Sequence, residues 1–223
     1  MNERLIVDQV QAKNRLAGLI LSRELLIDVI DAMVSGRANC TNNDPPAAPG
    51  FISWSYGTRR MREVLIPLGW EKCDDDQIAS AYHKALNIKL VVCNTDEGTG
   101  LADSFPQQRS KKGPGTERTV SANQSSLGDI LSESTLNGNA TKIVPFPVRA
   151  DRANSVCWFL CVFDEGEVLR AELSCPSVIG NGFFKEFYER ILLFGKDDDY
   201  KGIRVPRDKP VDDPDFEINV TKK

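Results

Sequence analysis

The sequence predicts an α+β protein, with an N-terminal helical region and a C-terminal mixed or antiparallel sheet on which a helix packs. Near the N-terminus, apolar residues recur mostly every three or four positions, which is the period of an amphipathic helix. In the second half, two β-type segments, Val156–Phe163 and Glu167–Ser174, flank the turn Asp164-Glu165-Gly166. The first segment is apolar on both faces and the second alternates, which is typical of a buried strand beside a half-exposed one.

Length and composition limit the class of protein. A chain of 223 residues with 41% hydrophobic residues can bury the core of one large domain or two small ones. Its net charge of −4 gives no general attraction to phosphate backbones. We see no signal-peptide pattern and no apolar run of the ~20 residues that a membrane span needs, so we expect a soluble, cytoplasmic protein.

The six cysteines are scattered and form no C-x-x-C pair. Their spacing does not match a zinc site, and three of them lie in predicted apolar strands. We therefore expect buried, reduced thiols rather than disulfides.

The N-terminal region, residues 1–36, is predicted to be a helix over 4–34. A break near Leu21 is an alternative, because Ser22 followed by acidic residues can cap a second helix. The wide apolar stripe of this helix needs a partner. The partner is either the core of the same chain or a second copy, so a homodimer through the N-terminal helix stays open.

The second region, 51–194, is predicted to form the α+β core after a linker at 37–50. Within it we predict, in order, a helix at Thr58–Leu65, a helix at 77–86 led by three aspartates, a strand at Ile88–Cys93, a flexible loop at 103–125, a helix at Ser126–Leu136, an edge strand at Lys142–Val148, the hairpin, and a helix at Phe183–Leu193. Residues 195–223 are predicted to be a charged tail, with a possible last strand at Phe216–Val220.

The segment Asn94–Gly100 follows a predicted strand, where open α/β sheets place their sites. Asp96 and Glu97 are candidate ligands for a cation such as Mg²⁺, which prefers carboxylate oxygens. Gly98 and Gly100 would let the backbone approach a ligand. Aspartate and glycine also form ordinary turns, which is the simpler interpretation.

One basic loop is the candidate phosphate or nucleic-acid site. It spans 109–118, and its cations are Arg109, Lys111, Lys112 and Arg118, with glycines and hydroxyl residues between them. A second basic stretch carries aromatic residues as well, namely Trp54, Tyr56, Arg59, Arg60 and Arg62. Together the two stretches are candidates for a nucleic-acid surface, although a solvated flexible loop beside a surface helix is the simpler interpretation.

Two catalytic patterns find weak support. His83 is the only histidine and lies on a predicted helix, so a relay of the Ser–His–Asp kind would have to use it. A nuclease of the D…ExK type would use Glu172, but Ser174 stands where lysine is needed. The predicted pairing sets Glu172 opposite Trp158 to within one residue, about 20 Å along the strand from Asp164. Only a distant acid, such as Asp96 or Glu97, would complete that site.

The expected function is therefore an intracellular binding or adaptor protein without catalytic activity or cofactor, engaging a protein or nucleic-acid partner. The wide apolar helix, the basic loop and the charged tail are features of surfaces that meet partners. The alternative is a metal-dependent enzyme acting on nucleic acid or nucleotides. It would use Asp96 and Glu97 for Mg²⁺ and the basic loop for phosphate.

Overall fold

A computed structural model describes residues 3–134 and 152–194, with side chains for 3–124 and 152–194. The fold is α+β, as predicted, with most helices N-terminal and most of the sheet C-terminal. The helices are α1 (Gln9–Gly18), α2 (Arg23–Ala38), α3 (Ala48–Leu65) and α4 (Pro114–Ser134). The strands are β1 (Arg4–Ile6), β2 (Glu71–Cys73), β3 (Ser80–His83), β4 (Ile88–Asn94), β5 (Val156–Glu165), β6 (Val168–Gly180) and β7 (Phe183–Phe194).

These strands form one mixed sheet in the order β1-β7-β6-β5-β4-β3-β2. Strands β1 and β7 are parallel, as are β4 and β5, and the other neighbours are antiparallel. Helices α1, α2 and α3 contribute apolar side chains to the core on one face of the sheet. On the other face, Val120 of α4 packs with Phe159, Phe184 and Phe187. No helix among the described residues is long and apolar enough to cross a membrane.

The predicted helix over 4–34 is wrong in its first residues and right about its break. Residues Arg4–Ile6 form β1, which pairs with β7 at the sheet edge. Helix α2 begins after Ser22, whose side chain accepts a hydrogen bond from the N–H of Leu25, as expected of a cap. Helix α1 ends in a tight turn that holds Ile20 at φ +56°, a conformation that β-branched residues avoid.

Helix α3 begins at Ala48, ten residues before the predicted helix at Thr58. The linker between α2 and α3 therefore spans only residues 39–47, rather than the predicted 37–50. Pro49 and Gly50 made this stretch resemble a linker. Proline, however, fits the first helical turn, where its missing N–H has no partner to lose. Gly57 lies on the helix interior face, where an added Cβ would stand 2.4 Å from Cγ of Met33. Glycine here lets α3 approach α2.

Two predicted helices are strands, and these predictions were wrong. The segment predicted as a helix at 77–86 contains β3, and all four of its residues are buried. The segment predicted as the packed helix Phe183–Leu193 is β7. Its closely spaced phenylalanines and leucines fit a helix face, but strands buried on both faces also read as nearly continuous apolar runs. Asn181 and Gly182, both at positive φ, form the two-residue hairpin turn between β6 and β7.

The central hairpin and the strand at Ile88–Cys93 are confirmed as β5, β6 and β4. The predicted register of the hairpin was wrong. Glu165 pairs with Val168 around a two-residue turn, and Glu172 therefore lies opposite Cys161 rather than Trp158. That register brings Glu172 to about 10 Å along the sheet from Asp164, half the predicted separation.

The loop predicted at 103–125 was wrong from residue 114 onward, because α4 begins at Pro114. Its many serine, threonine and glutamine residues resemble a loop in composition, and packing on the sheet makes them helical. The predicted helix at Ser126–Leu136 falls within α4 as far as Ser134. The predicted edge strand at Lys142–Val148, the tail 195–223 and the strand at Phe216–Val220 lie outside the described residues.

Candidate functional site

Asp96 and Glu97 lie in the turn-forming loop that follows β4. Asp96 is half-buried, and its Oδ1 accepts hydrogen bonds from the backbone N–H groups of Gly98, at 3.1 Å, and Gln107, at 2.9 Å. Glu97 is exposed. Within residues 3–134 and 152–194, no group of three or more His, Cys, Asp or Glu residues is placed to hold a metal ion. Asp96 thus orders its own loop, while the metal-site interpretation stays a prediction.

The glycines of this loop face the protein itself. A Cβ on Gly98 would lie 2.2 Å from the carbonyl oxygen of Phe105. Gly100 has φ +71° and packs against Arg170, and its N–H donates to Oε2 of Glu172 at 2.7 Å. Both glycines therefore serve close packing of the chain on itself, at the positions where a ligand approach was predicted.

Glu172 and Arg190 form a buried ion pair beneath this loop. The guanidinium of Arg190 donates from Nε to Oε1 of Glu172 at 2.8 Å and from Nη2 to Oε2 at 2.7 Å. Ser174 Oγ also donates to Glu172, and Arg190 Nη2 reaches the carbonyl oxygen of Leu101 at 2.9 Å. Burial opposes the charge of Arg190, but the hydrogen bonds and charge of Glu172 raise its pKa overall.

This arrangement makes Glu172 an anchor, since both of its oxygens accept several hydrogen bonds and neither is exposed. The pair ties β6 and β7 to the loop at Leu101. Arg190 was missed in the sequence because β7 was predicted as a helix. The alternating E-x-S of β6 was the only signal that a polar pair faces the sheet interior.

Two of the four cations of the basic loop, Arg109 and Arg118, form ion pairs within the protein. Arg109 donates to the carbonyl oxygen of Thr95 at 3.2 Å and pairs with Glu165. Arg118 pairs with Asp76. Lys112 donates its backbone N–H to Gly182 at 3.0 Å, and the stem of Lys111 covers the same glycine. Of these four side chains, Lys111 and Arg118 are exposed.

The aspartate run at 74–76 separates the two basic stretches. Asp74 pairs with both Arg62 and Lys72, Asp75 with Lys89, and Asp76 with Arg118; the pairs are formed from α3, β2, β4 and α4. Hydrogen bonding from Arg62 lowers the pKa of Asp74. Helices α3 and α4 pack on opposite faces of the sheet, so the aspartate run lies between the two basic stretches, and a joint nucleic-acid surface stays a prediction.

Three residues of the second basic stretch, Trp54, Arg59 and Arg62, line a groove on α3, which we call the α3 groove. It is a shallow, open depression with a volume of about 460 Å³. Its walls combine aromatic, apolar, hydroxyl and charged side chains, namely Trp54, Ser55, Thr58, Arg59, Arg62, Glu63, Ile66, Lys72 and Ala79. Three of these residues are cations and one is an acid, so the walls carry an excess of positive charge.

The two arginines of the groove are held in different ways. The guanidinium of Arg59 stacks on the ring of Tyr56, 4.5 Å from its centroid. Arg62 is fixed by the carbonyl oxygens of Ser80, at 3.2 Å from Nε, and Cys73, at 3.1 Å from Nη2. Such fixed guanidinium groups bind planar or anionic ligands well, because little side-chain freedom remains to be lost.

His83 and five of the six cysteines are buried among structural elements of the core. His83 lies on β3, is 8% exposed, and accepts a hydrogen bond at Nδ1 from the N–H of Leu86 at 3.2 Å. Burial lowers its pKa from the usual 6.5. All six cysteines are free and five are buried, which confirms the prediction of buried thiols. Burial raises the pKa of Cys157 to about 12, so this thiol stays protonated and unreactive.

The α3 groove is thus a concave surface on which aromatic and cationic side chains meet, and the loops at 94–100 and 109–118 make internal contacts. Comparison with models of protein families, with curated proteins and with solved structures found no match to this chain.

Proposed function

We propose that this chain is a binding protein, without catalytic activity, that engages a macromolecular partner through the α3 groove. The observation that carries the proposal is the groove itself, in which Trp54, Arg59 and Arg62 of a helix packed against the sheet stand beside Lys72 of β2. Tryptophan and arginine contribute most to binding when they sit on rigid elements and line a concave surface.

The exposed apolar side chains around α3 support the same proposal. Phe51 on α3 is 63% exposed, and Ile66 and Leu68 just after the helix are also exposed. The ring centroids of Phe51 and Trp54 lie 5.7 Å apart. Neighbouring aromatic rings beside charged residues are typical of surfaces that bind a partner.

Site-specific photo-crosslinking tests this proposal. A benzoylphenylalanine at Ser55, which lines the groove, should form a discrete adduct in a lysate of the source cells. The same group at Ser121, which is exposed on α4 at the other face of the sheet, is the matched control. Adducts from Ser55 alone would support the proposal. No adduct from Ser55, or equal adducts from both positions, would contradict it.

A further inference from the structure

We infer that the ligand of the α3 groove is single-stranded nucleic acid. This inference rests on the proposed function and names the class of partner. It draws on the charge of the groove, on the donors that its cations leave unused, and on the aromatic ring in its wall.

The charge of the groove suits phosphate. Arg59, Arg62 and Lys72 face one lining acid, Glu63, which contacts Arg60, and Arg60 in turn pairs more closely with Asp28. Asp74 is shared between Arg62 and Lys72, so one carboxylate serves two cations. A positive excess therefore remains along α3 although the whole chain carries −4. Local positive charge of this kind attracts a phosphate backbone even when the net charge of the protein does not.

The arginines have donors left for phosphate oxygens. Within the described part of the chain, Arg59 is exposed and its guanidinium contacts only the ring of Tyr56, which leaves its N–H groups unbonded. Arg62 uses Nε and Nη2 for its hydrogen bonds, so the Nη1 group is unused among the described residues. Guanidinium groups bind phosphate through paired N–H donors, which lysine cannot match in geometry.

The aromatic wall suits an unpaired base. Trp54 is half-buried in the groove wall, and the ring of Phe51 lies beside it at an interplanar angle of 44°. Bases stack on such side chains in single strands, because duplex bases already stack on each other. The groove volume of about 460 Å³ also fits individual nucleotides better than the broad surface of a duplex.

Intrinsic fluorescence gives a direct test, because the chain has three tryptophans and the other two, Trp70 and Trp158, are only 2% and 3% exposed. Titration with an oligothymidylate of about 15 nucleotides should quench the emission of Trp54. A Trp54→Leu variant should lose the quenching and bind less tightly.

A pair of charge variants tests the phosphate contacts. Arg59→Ala with Lys72→Ala removes two groove cations, whereas Lys13→Ala with Lys84→Ala removes two exposed cations elsewhere. The groove pair should weaken binding roughly tenfold or more. It should also reduce the slope of log K against log salt by about 0.7 for each lost contact. The control pair should leave the slope near that of the parent protein.

The results separate this inference from the proposed function. Absence of binding, binding without quenching, or equal losses in both charge variants would overturn the nucleic-acid inference. Nuclease treatment of the Ser55 crosslink supplies the second readout. An adduct that nuclease removes supports single-stranded nucleic acid. A nuclease-resistant protein adduct overturns this inference and leaves the proposed function standing, and absence of any groove adduct overturns both.

Discussion

Asn123 offers a sharp test of how α4 is held, because its side chain replaces a missing strand neighbour. The residue is 0% exposed. Its Nδ2 donates to the carbonyl oxygens of Cys157, at 3.1 Å, and Pro176, at 2.8 Å, and its Oδ1 accepts from the N–H of Cys157 at 2.7 Å. The β5–β6 ladder begins only at Phe159, so this amide satisfies backbone groups that the ladder leaves open.

We expect Asn123→Ala to lower the free energy of unfolding by about 3–5 kcal/mol. The substitution removes three hydrogen bonds to backbone groups, and each buried polar group left unpaired costs at least about 1 kcal/mol. Urea denaturation followed by circular dichroism measures the change. The matched control is Gln124→Ala, on the exposed neighbour in the same helix, which should stay within about 0.5 kcal/mol of the parent protein.

Asn123→Asp adds a pH signature that a simple packing defect lacks. The carboxylate would face the two carbonyl oxygens that Nδ2 now contacts, so folding should raise the pKa of the new aspartate. A raised pKa in the folded state means that stability is greatest at low pH and is lost as pH rises through that pKa. A loss from Asn123→Ala no larger than that from Gln124→Ala, or an Asn123→Asp variant as insensitive to pH as the parent protein, would contradict this role of Asn123.

Three further outcomes are expected. Ile20→Gly should raise the unfolding free energy by about 1 kcal/mol in urea melts, because glycine tolerates φ +56°; Ile20→Ala should bring no gain. Glu172→Gln should cost about 3–5 kcal/mol in the same assay, since it leaves Arg190 charged and buried; an equal loss from the exposed Glu97→Gln would contradict this. His83 should titrate below pH 6.5 in an NMR experiment, and its contribution to stability, present above 6.5, should fall as pH drops from 6.5 through the folded-state pKa; a pKa at or above 6.5 would contradict the burial argument.

Local patterns were enough to predict several elements. The hairpin at β5 and β6, the strand β4 and the cap at Ser22 each depend on neighbours in sequence: an alternating pattern, an apolar β-branched run, or a hydroxyl before a helix. The turn residues Asn181-Gly182 are also visible in the sequence, but the phenylalanines that follow fit both periods and predict a helix there.

The candidate site was predicted only in part. Trp54, Arg59 and Arg62 stand out in the sequence as a basic stretch with aromatics, and the structure adds Lys72 and Ile66 to the same groove. Those two are brought in by the turn and strand that follow α3, which no helical spacing indicates. The cations of the 109–118 loop are equally prominent in the sequence. The carboxylate partners of Arg109 and Arg118, which are Glu165 and Asp76, are distant in sequence, so these ion pairs cannot be predicted from local spacing.

Period and composition are enough to predict the α+β class, the central hairpin and the buried thiols, because they show which segments bury both faces and which bury one. That Phe183–Phe194 is a strand, that α4 folds, and which charges remain available all depend on contacts between residues distant in sequence. Arg190 with Glu172, and Asn123 with Cys157, meet across 18 and 34 residues of chain. Local propensity depends on neighbouring residues and therefore does not reflect these distant partners. The free energy gained by burial against them outweighs the local preference for another secondary structure.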